Sequence, residues 1–157
     1  MQPHRTYYLY PSNIFVSRDL YYITTLLGSC VAVCLYDRRQ QFGGMNHFML
    51  PLWNGKGLAS PKYGNIATRQ LIQKMESLGS RKSDIVAKVF GGASVLDINT
   101  SIFHVGERNT EVAKSELTAL GISIVASSVK GDRARKIIFN TFTGEVRQKY
   151  IEKRMLR

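Results

Sequence analysis

Two strands and the turn between them are encoded in one stretch, Tyr22-Ile23-Thr24-Thr25-Leu26-Leu27-Gly28-Ser29-Cys30-Val31-Ala32-Val33-Cys34-Leu35-Tyr36. The first part, Tyr22–Leu27, is rich in aromatic and β-branched residues, which favour a strand. Gly28-Ser29 marks a turn, and the apolar run Val31–Tyr36 predicts a second strand that is buried on both faces. Cys30 stands where the turn meets this second strand, beside small residues that leave its sulfur approachable.

The rest of the chain predicts more strands than helices. Apolar residues at helical spacing predict two amphipathic helices, each followed by a glycine, over Tyr63–Leu78 and Asn109–Leu120. Trp53–Lys62 contains glycine and proline and is expected to be a mobile surface loop. Further strands are expected at Gly44–Leu50, Ile85–Phe90, Ile122–Ser127 and, as a hairpin, at Arg135–Thr141 and Glu145–Ile151. This pattern predicts an α+β fold in layers rather than a doubly wound βαβ fold.

Length and composition favour a single domain over residues 1–157. The first residues lack the apolar segment of a signal peptide, and no stretch approaches the length of a membrane span. We therefore expect a cytoplasmic protein without membrane insertion, with Cys30 and Cys34 as free thiols. The formal charge of +11 predicts an acidic protein partner, because no RNA- or DNA-binding motif supports nucleic acid as the alternative.

Cys30 and His47 are the residues that could carry chemistry. The thiolate is the reactive form of cysteine, and a neighbouring imidazolium lowers the thiol pKa from about 8.5 to roughly 3.5–7.5. The 17 positions between them suffice for one strand, a turn and a returning strand, so the spacing permits a pair. Residue types alone leave an inert buried thiol and a packed core histidine as open alternatives. Cys34, in the middle of the apolar strand, is expected to pack in the core.

No other motif points to a cofactor. The spacing of Cys30 and Cys34 lacks the second pair of ligands that structural zinc sites show. A P-loop, a dinucleotide fingerprint and a serine nucleophile elbow are also missing, so we predict neither metal nor cofactor. His4 lies at the terminus, where we expect disorder, and His104 is open to either a surface or a core position.

The segments Thr24–Val33 and Gly44–Pro51 closely resemble the CheD family of chemoreceptor glutamine deamidases from bacterial and archaeal chemotaxis. The resemblance extends from about residue 14 to about residue 146. Further matching residues follow in order: Tyr63 with Ala67 and Leu71, Gly91-Gly92-Ala93, Val105–Asn109, Arg133-Ala134-Arg135 and Thr143-Gly144. The resemblance to this family implies a three-layer sandwich of mixed β-sheets with two main helices packed on a sheet, similar to the deamidase domain of cytotoxic necrotizing factor toxins.

The resemblance also implies a catalytic triad. Cys30 matches the nucleophile, His47 the general base, and Thr24 the residue that orients the imidazole, with Thr25 as the neighbouring alternative. Backbone N–H groups near Gly28 and Ser29 are the implied oxyanion donors. No role is implied for Gly91, Gly92, Arg108 or Asn109, nor for the tyrosine-rich stretch near the N-terminus.

The activity implied is protein-glutamine deamidation of methyl-accepting chemoreceptors, with glutamyl methyl ester hydrolysis as a further reaction of the same site. The alternative is a non-catalytic regulatory partner of a CheC-type phosphatase. Two departures from the family pattern stand out. Leu26 replaces a glycine before the turn, and Ser128–Gly131 replaces an Asp-x-Gly-Gly segment.

Overall fold

The computed structural model describes residues 5–94 and 104–152. Within these ranges nine strands and two α-helices build three layers, with a one-turn 3₁₀ helix at Lys82–Asp84 before the sixth strand. In chain order the elements are β1 (Thr6–Tyr8), β2 (Ile14–Ser17), β3 (Tyr22–Leu27), β4 (Val31–Asp37), β5 (Phe42–Asn46), α1 (Gly64–Ser77), β6 (Ile85–Gly91), α2 (Val105–Ala119), β7 (Ser123–Val129), β8 (Arg135–Asn140) and β9 (Val146–Tyr150).

The strands form two mixed sheets. The first sheet has the order β1-β3-β8-β9, with β1 parallel to β3 and the other neighbours antiparallel. The second has the order β2-β5-β4-β6-β7, with β7 parallel to β6 and the other neighbours antiparallel. Helices α1 and α2 contact each other and the strands of the second sheet. The predicted α+β sandwich of mixed sheets with two helices on one sheet is therefore confirmed.

Strand β4 lies at the centre of the molecule and is buried on both faces, as its apolar run predicts. Val31, Val33 and Leu35 face the helices and join one hydrophobic core. The alternate residues Ala32 and Cys34 face the first sheet and join a second core. This period of two is the ordinary side-chain alternation of a strand. The predicted core position of Cys34 is confirmed, since only 1% of that residue is exposed.

Two predicted boundaries differ from the structure. The strand expected over Gly44–Leu50 ends at Asn46, and beyond it Phe48 and Leu50 make only isolated bridges. At this point the backbone of His47 pairs with the N-terminal part of the chain. Helix α2 begins at Val105 instead of Asn109. The apolar stripe gave no sign of its first turn, because this turn packs through glycine and polar residues.

The sequence also gave no indication of β1 and β2, which form an edge of the first and second sheet respectively. The segment between them, Leu9–Asn13, is here called the N-terminal arm. Its first residue, Leu9, is fully buried in the core between the sheets and donates its N–H to the Thr24 carbonyl at 2.8 Å. Its end pairs with His47: the Ser12 N–H donates to the His47 carbonyl at 2.7 Å. The arm thus runs from β3 to His47.

Candidate active site

The turn before Cys30 has all of its carbonyls fixed by the protein interior. The Gly28 carbonyl accepts from the Ala93 N–H at 2.9 Å, and the Cys30 carbonyl accepts from the Gly92 N–H at 2.8 Å. Between them, the Ser29 carbonyl accepts from the Asn109 side-chain amide at 2.9 Å. The N–H groups of Ser29 and Cys30, by contrast, donate to no other residue in the described part of the chain. These unused donors lie where an oxyanion hole would need them.

Strand register places Cys30 and His47 on the same face of the second sheet. Val31 and Phe48 exchange hydrogen bonds of 3.1 and 2.9 Å, in continuation of the β4–β5 register. Ala32 therefore stands opposite His47, and Cys30 is one of its two diagonal neighbours, the buried Cys34 being the other. Side chains in this relation are within reach of each other when one of them is long or aromatic. The fold thus places the two predicted catalytic residues on the same face of the sheet, with Cys30 only partly buried and its sulfur outside hydrogen-bond contact with His47 Nε2.

A chain of hydrogen bonds fixes the state of the imidazole. The Thr25 hydroxyl donates to the Leu9 carbonyl at 2.6 Å, since a carbonyl can only accept. The same oxygen lies 2.7 Å from His47 Nδ1. Because the hydroxyl proton is already used, Nδ1 must be the donor in this contact. The proton of neutral His47 therefore sits on Nδ1, and Nε2 carries a free lone pair.

Nε2 has no hydrogen-bond partner among the described residues, although it is buried. A buried polar atom without a partner is rare and is found where function requires it. An imidazole held through Nδ1 with Nε2 unoccupied has the arrangement of a general base.

Of the two candidate threonines, the structure places Thr25, the neighbouring alternative, and not Thr24 in contact with the imidazole. Thr25 is fully buried and shares the inner face of β3 with Ile23 and Leu27. Thr24 points the other way, into a cavity of about 480 Å³ on the outer face of the first sheet. Strand alternation in the sequence does not make this choice, because Tyr22 and Leu26 flank Thr24 in the same way as Ile23 and Leu27 flank Thr25.

Burial sets the protonation of both catalytic candidates in the same direction, toward the neutral form. Desolvation lowers the pKa of His47 to about 4, with a smaller opposite contribution from the Leu9 carbonyl. Desolvation raises the pKa of the Cys30 thiol, and the residue's own backbone N–H acts in the opposite direction. The resting site is therefore a neutral thiol beside a neutral imidazole. The lowering of the thiol pKa by an imidazolium, considered from the sequence, is not what this geometry produces.

Gly91 and Gly92 lie against the carbonyl of Cys30 and have positive φ angles of 103° and 71°. A Cβ atom on Gly91 would lie 2.3 Å from the Cys30 carbonyl oxygen, and one on Gly92 would lie 2.1 Å from the Thr110 hydroxyl. Only glycine combines this backbone conformation with such close approach. The Gly91-Gly92 pair, which had no assigned role, therefore shapes the support on which Cys30 rests.

Arg135 orders the segment that hydrogen-bonds to Gly91. Its buried guanidinium donates to the carbonyls of Ser128, at 2.6 Å, and Lys130. Lys130 in turn donates its N–H to the Gly91 carbonyl at 2.8 Å. The segment Ser128–Gly131, where the chain departs from the family pattern, is thus ordered by Arg135. The other departure, Leu26, is exposed on the outer side of β3.

His104 is exposed at the start of α2, and His4 lies outside the described residues. In residues 5–94 and 104–152 no three or more His, Cys, Asp or Glu side chains are grouped so that they could hold a metal ion. Nor does any helix in those ranges combine the length and apolar character needed to cross a bilayer. Sequence reasoning missed Leu9, whose contribution is a backbone carbonyl, and Asn109.

Comparison with known proteins places this arrangement in a family. Residues 49–150 match the family model described as CheD chemotactic sensory transduction. A probable chemoreceptor glutamine deamidase CheD of Trichlorobacter lovleyi is 52% identical over 92% of this chain and 89% of its own. The protein of the same name from Sulfurimonas denitrificans is 50% identical over 93% and 94%. Both alignments are long enough to include Cys30 and His47, which precede the family-model match.

Relatives named probable chemoreceptor glutamine deamidase CheD also occur in archaea. The one from Methanococcus maripaludis is 38% identical over 85% of this chain and 88% of its own. Among solved structures, the Bacillus licheniformis hypothetical protein YfiH has a TM-score of 0.44 at 18% identity, over 68% of this chain and 46% of that one, a likeness too low to define the fold. By the family model and by the extent and identity of its relatives, the chain belongs to the CheD family.

Proposed function

We propose that this chain is a protein-glutamine deamidase that converts glutamine side chains of methyl-accepting chemoreceptors to glutamate in the cytoplasm. Cys30 is the nucleophile, His47 the general base and Thr25 the residue that orients the base. The observation that carries the proposal is the fixed imidazole: Nδ1 is bound to Thr25 at 2.7 Å, and Nε2 is free on the face that bears Cys30. The relatives' printed names supply the substrate class.

The acylation step uses Nε2 as the proton acceptor. As the Cys30 sulfur attacks the glutamine Cδ, its proton moves to His47 Nε2 and the carbonyl electrons move onto oxygen. The N–H groups of Ser29 and Cys30 stabilise this oxyanion. The imidazolium then gives its proton to the amide nitrogen, the C–N bond breaks, and ammonia leaves a thioester on Cys30.

The deacylation step repeats the same chemistry with water. Nε2 takes a proton from the water as its oxygen attacks the thioester carbon, and the C–S bond breaks in the second tetrahedral intermediate. His47 returns the proton to sulfur, and the side chain leaves as glutamate. A glutamyl methyl ester would give the same thioester, with methanol in place of ammonia, so the site supports ester hydrolysis as a second reaction.

The Leu9 carbonyl is the last acceptor in a relay of two hydrogen bonds behind the imidazole. When Nε2 takes the proton, the imidazolium is stabilised at Nδ1–H through the Thr25 hydroxyl, which is itself held by Leu9. A buried imidazolium without such a partner would be costly to form, because burial disfavours its charge. The relay therefore stabilises the charged intermediate state while leaving the resting imidazole neutral.

Incubation with a purified chemoreceptor cytoplasmic fragment tests the proposal. Ammonia release is followed with the wild type, Cys30→Ala and Cys34→Ala, and modified glutamines are located by mass spectrometry. We expect release with the wild type and with Cys34→Ala, since the Cys34 thiol is sealed in the core between the sheets and closed to a substrate, and none with Cys30→Ala. Full activity in Cys30→Ala, with its circular dichroism unchanged, would refute the mechanism.

The alternative is regulatory binding to a CheC-type phosphatase without catalysis. It predicts that the wild type and Cys30→Ala bind the phosphatase equally and that neither releases ammonia. That result would favour the binding role over the catalytic one.

A further inference from the structure

Asn109 is a buried polar residue whose contacts the proposed mechanism leaves unused. It lies in the second turn of α2 and is fully buried. Its Nδ2 donates to the Ser29 carbonyl at 2.9 Å and to the Met49 carbonyl at 3.0 Å. Both acceptors are carbonyls, so the side of the amide that faces them must be the nitrogen.

The two carbonyls belong to the two segments that carry the catalytic pair. Ser29 directly precedes Cys30, and Met49 follows His47 by two residues and stands opposite Cys30 in the continued register. The Asn109 side chain, from helix α2, therefore connects the turn before Cys30 to the segment after β5 that carries His47. Its Oδ1 has no partner among the described residues and is buried, so solvent does not reach this contact.

The contact with Ser29 fixes the direction of a particular N–H group. The Ser29 carbonyl and the Cys30 N–H belong to one peptide unit, and in a trans peptide these two groups point in opposite directions. Binding of the carbonyl by Asn109 on the helix side turns the Cys30 N–H to the other side. That N–H donates to no other residue in the described part of the chain and is therefore available to a substrate oxygen.

The neighbouring peptide unit is fixed independently. The Cys30 carbonyl accepts from the Gly92 N–H at 2.8 Å, and the Val31 N–H donates to Phe48 at 3.1 Å. Only the Ser29–Cys30 unit depends on a side chain for its orientation. Hydrogen bonding at a carbonyl also polarises the peptide and strengthens its N–H as a donor.

We propose that Asn109 is a positioning residue that aims and polarises the Cys30 N–H, so that this group stabilises the oxyanion of the tetrahedral intermediates. The inference rests on the proposed thiol mechanism. It assigns Asn109 no contact with the substrate and no role in activating the thiol, and this separates its effects from those of His47 and Thr25.

The test compares deamidation with simple alkylation of Cys30. Alkylation by iodoacetamide needs the thiol and its base but forms no oxyanion. In Asn109→Ala the donor is misaimed but not removed, so we expect kcat for deamidation to fall on the order of 10- to 10³-fold, up to the roughly 10²–10³ that loss of an oxyanion donor costs, with KM nearly unchanged. The rate of Cys30 alkylation, and its pH profile, should stay within about twofold of the wild type.

A second readout probes the oxyanion directly. A receptor peptide with glutamic semialdehyde in place of the target glutamine forms a hemithioacetal with Cys30, whose oxygen occupies the oxyanion position. The hemithioacetal of Asn109→Ala should form more weakly, and ¹³C NMR of the labelled carbon should show a higher pKa for its hydroxyl than in the wild type.

Leu117→Ala is the matched control, because it removes a buried side chain of the same helix that faces the helix–sheet core and does not touch the turn. It should lower the melting temperature and leave kcat unchanged. If Asn109→Ala does not fold, Asn109→Ser replaces it, because serine leaves a smaller cavity and retains a hydroxyl donor.

Equal losses of alkylation and deamidation in the Asn109 variants would overturn the inference, since they would show that Asn109 only holds Cys30 in place. Unchanged deamidation would overturn it as well. If the wild type itself releases no ammonia, the proposed function fails, and the alkylation and hemithioacetal measurements still decide the role of Asn109.

Discussion

The Thr25 hydroxyl lies 2.7 Å from Nδ1 of His47 and donates its own proton to the Leu9 carbonyl. This pair of contacts permits only one neutral tautomer of the imidazole, with Nδ1 protonated and Nε2 free. The relation explains how a small neutral residue replaces the carboxylate that orients histidine in many hydrolases. It also makes the consequences of changing Thr25 specific.

Thr25→Val keeps the shape of the side chain and removes the hydroxyl. The imidazole then loses its partner at Nδ1, so we expect kcat to fall on the order of 10- to 100-fold, below the 10²–10⁴ that general-base catalysis as a whole contributes. The unpaired Leu9 carbonyl should cost about 1–3 kcal/mol of the free energy of unfolding. Thr25→Ser should retain most activity, and Thr24→Val, on the outer face, should match the wild type. Inactivity of Thr24→Val with activity in Thr25→Val would reverse the assignment.

The pH dependence of activity reports the neutral resting pair. His47 must be unprotonated to act as the base, and its pKa is lowered to about 4. kcat/KM should therefore rise with pH through about 4 and stay level across neutral pH. It should change again only above the ordinary range of a thiol, because the pKa of Cys30 is raised. A rising limb near pH 6.5, or thiolate absorbance in the ultraviolet at neutral pH that Cys30→Ala lacks, would contradict this.

The same burial makes folding stability depend on pH. In the unfolded chain His47 titrates near 6.5, whereas in the fold its pKa is about 4. Between these values the unfolded state binds the extra proton, so acid favours unfolding. The free energy of unfolding should drop as pH falls from 6.5 to 4, by about 3 kcal/mol at most from this residue. Urea unfolding of the wild type and His47→Gln at several pH values isolates the effect. A variant whose stability declines as steeply as the wild type would exclude His47 as the cause.

Gly91→Ala should damage the site more than the fold alone explains. The substitution forces a Cβ against the Cys30 carbonyl in a backbone conformation that disfavours side chains. We expect kcat to fall at least about tenfold as Cys30 is displaced. Gly121→Ala is the matched control: Gly121 also has a positive φ, of 73°, with no atom within 4 Å of the added Cβ. It should lose only the backbone strain of about 1–2 kcal/mol in urea unfolding and keep its kcat. Equal kinetic losses in both variants would show that contact with Cys30 is unimportant.

Much of this architecture could be predicted from local patterns. The double burial of β4, the amphipathic α1 and the β8–β9 hairpin follow from the period of their apolar residues, and the structure confirms them. The strands β1 and β2 could not be found in this way. They are short, their burial pattern is exposed or intermediate throughout, and their places depend on pairing with distant partners.

The candidate site likewise contains residues that the sequence could predict and residues that it could not. Cys30 and His47 stand out as residue types at a suitable spacing, and the resemblance to a family selected them. The choice of Thr25 over Thr24 required the structure, because both faces of β3 carry apolar residues on either side of a threonine. The contacts of Asn109 could not be predicted, because they join a helix to carbonyls 60 and 80 positions away.

The last acceptor behind His47 is main chain, contributed by the N-terminal arm. Substituting the Leu9 side chain leaves its backbone carbonyl in place. Alanine scanning therefore cannot remove the hydrogen bond that this carbonyl accepts from Thr25. The position of the Leu9 carbonyl depends on an unbroken N-terminal arm. Tyr10, which directly follows Leu9, is 66% exposed and therefore accessible to a protease. A cleavage sequence engineered there would make the enzyme inactivable on demand, by a single cut that alters none of the catalytic side chains.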